Sequence, residues 1–315
     1  MRNPGNEMQL SARRPVSQVV HFGAPLCYRG LRALGVPAVN RRLQDAGLIL
    51  CYHNVVSSDA GVGEPGVHML SERFARQMRW LAAHYSVVRL SEFVARVASG
   101  KSMRLVAALT FDDGYTGVFQ HALPILRTLG LPATLFVVTG AGRRAGFWWD
   151  QPDIVASGDP NRRAAWLHTM RGDESAICSD RRTSSLPLSH RPANWQTIRG
   201  AIGDGIEIGA HSVTHRSLPT LSDAELEYEV VAGRAAIQRA TGTEPEFFAY
   251  PYGLWDARVR SRIRLAGYRA GLTLDYGLNR PFADPCSLRR LNVPATIGDA
   301  AFEAWTAGLL VGRHR

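Results

Sequence analysis

Short apolar runs rich in β-branched and aromatic residues recur along the chain, at 48–53, 85–90, 105–111, 133–139, 206–211, 246–251, 268–274 and 287–293. Each has the length and composition of a buried strand. Between most of them the apolar positions change to a helical period. In 71–85, Phe74, Met78 and Leu81 form one stripe behind Ser71, which the pattern makes the N-cap. In 222–242, Ser222 and Glu225 form a capping box and Gly242 closes the helix. Further helical segments, 118–130, 194–205 and 256–267, also end in glycine. Strands alternating with helices along nearly the whole chain imply an α/β fold with a largely parallel sheet, and seven or eight such units are enough to close a barrel.

Two regions break the rhythm. Residues 1–46 form a basic extension punctuated by Pro and Gly, and 157–193 is polar and irregular. A loop that long in a compact domain usually serves a function or moves. The expected division is therefore 1–46 as extension, 47–298 as catalytic domain with an insertion at 157–193, and 299–315 as C-terminal helix and tail.

The net charge of +10 comes from 37 Lys and Arg against 27 Asp and Glu. It is spread over scattered arginine doublets and fits contact with an anionic surface such as acidic lipid. No basic helix or aromatic-basic signature accompanies it, so nucleic acid is not an expected partner. The four cysteines lack a CxxC spacing, and the apolar run after Arg13 and Arg14 is interrupted by His21 and Pro25. Reduced thiols and a cytoplasmic protein, peripheral at the inner membrane face, are expected. Within 23–46, Leu31, Leu34 and Val39 lie among Arg29, Arg32, Arg41 and Arg42. That segment reads as a barrel cap or as a membrane-surface element.

Three stretches carry the chemistry. Asp112 and Asp113 follow the 105–111 run directly, and Gly114 allows a sharp turn after them. At a strand end both carboxylates can reach one polar site, whereas mid-strand one of them would be buried in apolar surroundings at high cost. His211 ends another strand and His215 follows at i+4, a spacing that lets two imidazoles meet on one metal ion. Two His and one carboxylate suit Zn²⁺ or another divalent transition metal. The third stretch, Tyr250-Pro251-Tyr252-Gly253, is a turn whose backbone amides could serve an oxyanion.

In this order the motifs Thr110-Phe111-Asp112-Asp113-Gly114, His211-Ser212-Val213-Thr214-His215 and Tyr250-Pro251-Tyr252-Gly253 resemble those of the polysaccharide deacetylase family, the NodB-homology domain or carbohydrate esterase family 4, over roughly residues 46–295. The resemblance implies a distorted (β/α) barrel that hydrolyses the amide of an N-acylated amino sugar with one divalent ion, Zn²⁺ foremost, with Co²⁺, Ni²⁺, Fe²⁺ or Mn²⁺ as alternatives. By matching positions Asp113, His211 and His215 would be ligands and Asp112 the general base, with the Tyr252 N–H holding the oxyanion. The substrate would be an N-acetylated amino sugar of an oligosaccharide, or a lipid-linked saccharide, in exopolysaccharide synthesis. Removal of a formyl group, or sugar binding without hydrolysis, are the alternatives.

The chain also departs from the family pattern. The arginine that orients the base in the third motif is absent from Phe247-Phe248-Ala249, which leaves Arg290 as its candidate replacement. The late histidine that protonates the leaving amine is absent as well: Asn292 stands in that strand, and His53, at the end of the first strand, is the candidate acid. Trp148, Trp149 and Asp150, with Tyr250 and Pro251, are the expected substrate contacts, because aromatic faces stack on sugar rings.

Overall fold

The computed structural model describes residues 24–58, 63–64, 66–143, 146–150 and 186–310. Among these described residues ten strands follow one another: β1 (Leu48–Tyr52), β2 (Asn54–Val56), β3 (His68–Leu70), β4 (Ser86–Val87), β5 (Val106–Phe111), β6 (Thr134–Val137), β7 (Glu207–Ala210), β8 (Phe247–Ala249), β9 (Ala270–Leu272) and β10 (Leu291–Asn292). The main sheet has the order β10-β1-β5-β6-β7-β8-β9, with β4 added beside the start of β5, and its pairings are parallel. β2 and β3 form a small separate pair.

The ring closes through a single segment. Leu288 bridges to Leu272 of β9, donating to the Gly271 carbonyl at 3.0 Å, and three residues later Leu291 pairs with Leu50 of β1. Residues 287–293 thus serve both free edges of the sheet. The result is the distorted barrel that the strand count implied.

Strands β1, β5 and β6 are buried on both faces, as in a parallel barrel, and alternation assigns each residue to a side. Leu48, Leu50 and Tyr52 of β1 and Ala107, Leu109 and Phe111 of β5 face the outer helices, packing with Phe74, Met78 and Leu81 of helix Ser71–His84. Ile49, Ala108, Phe136 and Ala249 face inward. The inner cluster also holds Leu90, Phe93, Val94 and Val97 of helix Leu90–Ser99. Glu207, at the start of β7, accepts from the Leu90 N–H at 2.9 Å and the Thr134 hydroxyl at 2.9 Å. A carboxylate thereby satisfies the N-terminal amides of that helix.

Several local expectations are corrected. The N-cap of helix Ser71–His84 is Leu70, whose side chain cannot accept, so Ser71 is instead the first helical residue. The run 85–90 is a strand only at Ser86–Val87, because Leu90 already begins a helix. The 222–242 helix keeps its Ser222–Glu225 capping box but widens to a π turn at Tyr228–Ala232. The N-terminal segment forms helices Ala24–Ala33 and Val36–Leu43, separated by Gly35 at φ 71°. They pack on the outer helix Asp299–Thr306, through Tyr28 to the Trp305 indole N–H at 2.8 Å and through Asn40 to the Ala307 carbonyl at 2.7 Å. Of the expected insertion, residues 157–185 lie outside the described residues.

Candidate active site

The inward alternation carries past the strand ends and builds the site. Cys51, Asp112 and His211 continue the inward rows of β1, β5 and β7. Asp113 would by the same count face outward, but its backbone is left-handed at φ 71°, followed by Gly114 at φ 80°, and this turns it back toward Asp112. Ser212 (φ 64°), His215 (φ 62°) and Tyr252 (φ 57°) are also left-handed. These strained conformations gather at one place, a common trait of functional sites.

His215 Nε2 lies 3.1 Å from His211 Nε2, and Asp113 Oδ1 lies 3.4 Å from the first and 3.5 Å from the second. All three residues are buried. His211 Nδ1 donates to the Ala249 carbonyl at 2.8 Å, which leaves its Nε2 as an acceptor facing the other two groups. Burial lowers the pKa of both imidazoles, favouring the neutral, ligating form. Ligand bonds of about 2.0–2.1 Å at tetrahedral angles separate donor atoms by about 3.3–3.4 Å, so these three fit one small divalent cation. The wild type is expected to hold about one divalent ion per chain and a His211→Ala/His215→Ala variant essentially none, checked by elemental analysis.

Asp112 is placed differently. Arg290, fully buried on the closing segment, donates Nη1 to its Oδ1 and Nη2 to its Oδ2, each at 2.7 Å. The guanidinium is held by the Thr273 carbonyl at 3.0 Å and the Thr110 hydroxyl at 3.2 Å. Burial alone would raise the Asp112 pKa, but Arg290, aided by His211, holds the carboxyl well below the usual range. Oδ2 is the oxygen turned toward the triad, 3.9 Å from His211 Nε2, and the Cys51 thiol lies 3.4 Å from it. Cys51, His53 and Asp112 also converge. They make the poorer metal site, because Asp112 is engaged by Arg290 and burial pushes the Cys51 thiol well up, keeping it protonated.

The family profile of polysaccharide deacetylases matches residues 99–271, more than half of the chain. The chain belongs to the polysaccharide deacetylase family. It is therefore a hydrolase of carbon–nitrogen bonds other than peptide bonds. It is similar over 259 residues, at 20% identity, to YxkH of Bacillus subtilis, covering 82% of this chain and 75% of that one. A shorter likeness, 33% over 69 residues, links it to a poly-β-1,6-N-acetyl-D-glucosamine N-deacetylase of Staphylococcus aureus, covering 22% of this chain and 24% of the relative. Among solved structures, IcaB from Ammonifex degensii superposes with a TM-score of 0.61 at 21% identity, covering 84% of this chain and 98% of that one. The Streptococcus pyogenes deacetylase PplD, solved with acetate, superposes with a TM-score of 0.59 at 17% identity, covering 80% and 93%.

In this deacetylase the expected substrate wall is not presented to solvent. Trp148 and Trp149 are 2% and 3% exposed, and Asp150 is fully buried. The Trp149 indole donates to the Tyr115 hydroxyl at 2.7 Å, which donates to Asp150 at 2.6 Å, and Asp150 also pairs with His68 at 2.9 Å. This network anchors the Trp149 ring 4.7 Å from that of His215, while Tyr252 packs on His215 at 4.4 Å. Tyr250 faces outward and is fully buried, its hydroxyl donating to the Cys286 carbonyl at 2.7 Å. Pro251 is buried too. Trp149 therefore braces His215 and Trp148 holds the Tyr252 hydroxyl at 3.0 Å, while Tyr250 and Pro251 are packed in the core. His53 is partly buried at the mouth, and Asn292, opposite Cys51 in the sheet, is exposed.

Glu229 was not foreseen as a site residue. It is buried within the π turn and accepts from the Val213 and Thr214 amides, both at 2.9 Å, and from the Thr214 hydroxyl. It thus fixes the loop that carries His215. The signal was in the sequence: Leu226, Glu229, Val230, Gly233 and Ile237 share one helical face, so an acid stands on the buried stripe.

Proposed function

We propose that the chain removes the acetyl group from an N-acetylated amino sugar of a glycan or lipid-linked saccharide, using one divalent ion, Zn²⁺ foremost. The observation that carries this reading is the convergence of Asp113, His211 and His215 beside a separate carboxylate, Asp112, that a buried arginine holds ionised. The named activity of the Staphylococcus aureus relative supports the sugar class.

Asp113, His211 and His215 would hold the ion, which supplies Lewis acidity toward water and the acetyl carbonyl. Asp112 accepts the proton of the attacking water at Oδ2, the oxygen nearer the triad. Arg290 keeps that carboxylate ionised and fixed in the plane of its fork. The Tyr252 amide donates to the carbonyl oxygen as charge develops on it. His53, at the mouth, hands a proton to the departing nitrogen, in the part usually played by a histidine where Asn292 stands. Water thus adds across the C–N bond, and acetate and a free amine leave.

The test is acetate release from N-acetylglucosamine oligomers by zinc-loaded protein. Formate release from N-formylated sugars in place of acetate would move the reading to a deformylase. Saturable sugar binding with no release of either acid would leave a binding protein on this barrel.

A further inference from the structure

Four of the large apolar side chains exposed on the described surface lie on the two N-terminal helices and the turn between them: Leu26 (70% exposed), Leu34 (79%), Val39 (57%) and Leu43 (70%). The helices are not loosely attached. Tyr28 and Asn40 bond to the 299–307 region, Arg32 pairs with Glu303 at 3.2 Å, and the buried Arg41 lies over the Trp80 ring at 5.1 Å. Polar bonds thus fix the inner face beside the buried Pro37, while Leu26, Leu34, Val39 and Leu43 point outward. On a water-facing helix pair the opposite arrangement is expected.

Residues 24–43 contain four arginines and no aspartate or glutamate. Arg29 and Arg42 are exposed on this face, and Arg104, also exposed, donates to the Arg42 carbonyl at 2.9 Å. Apolar side chains flanked by cations, with Asp45 beside Arg104 as an exposed acid at the margin, match the interfacial zone of a bilayer with anionic headgroups, where the aliphatic groups enter the acyl boundary and the guanidiniums meet phosphate. We infer that the outer face of helices Ala24–Ala33 and Val36–Leu43 docks the protein on an anionic lipid surface. No helix among the described residues is long and apolar enough to cross a membrane, so this contact would be peripheral.

Flotation of the full chain with vesicles tests the inference. With phosphatidylglycerol–phosphatidylcholine vesicles the wild type should float at low salt and be released as salt rises; with phosphatidylcholine alone it should stay in solution. Leu26→Ser/Leu34→Ser/Val39→Ser/Leu43→Ser should weaken partitioning by about tenfold or more. Arg29→Glu/Arg42→Glu should weaken it by about fivefold or more per residue. All six positions are exposed, and unchanged circular dichroism melts should accompany both losses. Wild-type protein that ignores anionic vesicles would overturn the inference. So would a serine variant that floats as well as wild type, which would place the contact elsewhere in the chain. A wild-type dimer in sedimentation equilibrium that the serine variant abolishes, with vesicle binding unaffected, would assign the face to a second copy instead.

Discussion

Replacing Arg290 by glutamine should cost about 3–5 kcal/mol of stability at neutral pH, because it leaves the Asp112 carboxylate buried without its cation. Thermal or urea unfolding of the metal-free protein measures this. The sign of the pH dependence follows from the pair. Asp112 has a depressed pKa in the folded state, so the pair stabilises fully above the unfolded aspartate value of about 3.9 and fades as pH falls through the folded value. The gap between wild type and variant should therefore be wide at neutral pH and shrink in acid. Activity adds a second readout, since the variant's Asp112 would bind its proton more readily and the acid limb of the rate profile should move to higher pH. Arg290→Lys should restore only part of either property, since an ammonium brings charge without the two-pronged fork. Equal stability of wild type and Arg290→Gln at every pH would mean the pair does not hold the carboxylate in solution.

Asp112→Asn should lower the deacetylation rate by about 10²–10⁴-fold, the usual worth of a general base. The amide nearly matches the carboxylate in shape, and Asp112 lies outside the triad, so metal content should stay near one ion per chain. Steady-state acetate release with parallel elemental analysis checks both. Lost metal together with lost activity would make Asp112 a ligand. Retained activity would remove it from proton transfer.

The barrel was legible in the sequence because its strands are short apolar runs separated by capped or glycine-ended helices. The site was legible for a related reason: strand alternation aims Asp112 and His211 inward, and the i+4 spacing brings His215 back to His211. What escaped were features that depend on tertiary partners. Helix Leu90–Ser99 has its apolar face at 90, 93, 94 and 97, but it begins inside a strand-like run, and the helical period is clear only after Leu90. The turn motif makes Tyr250 an expected substrate contact, but its parity with Phe248 of β8 sends it outward. The aromatic pair at 148 and 149 looked like a sugar platform because composition cannot distinguish an indole that meets a ligand from one that braces a histidine. Arg290 was a candidate on sequence, one of many arginines. Only its place on the closing segment shows that it meets Asp112.

The segment at 287–293 that joins both edges of the sheet also orders events during synthesis. The ribosome makes Asp112 nearly two hundred residues before it makes Arg290, and β1, which begins the ring, waits with an unpaired edge until β10 emerges. A growing chain can assemble the strands between them and can bring Asp113 near both histidines. Until the closing segment follows, Asp112 lacks its arginine and two strand edges stay open. Synthesis must thus pass residue 293 before the acid is neutralised and the barrel shut, and the same segment does both.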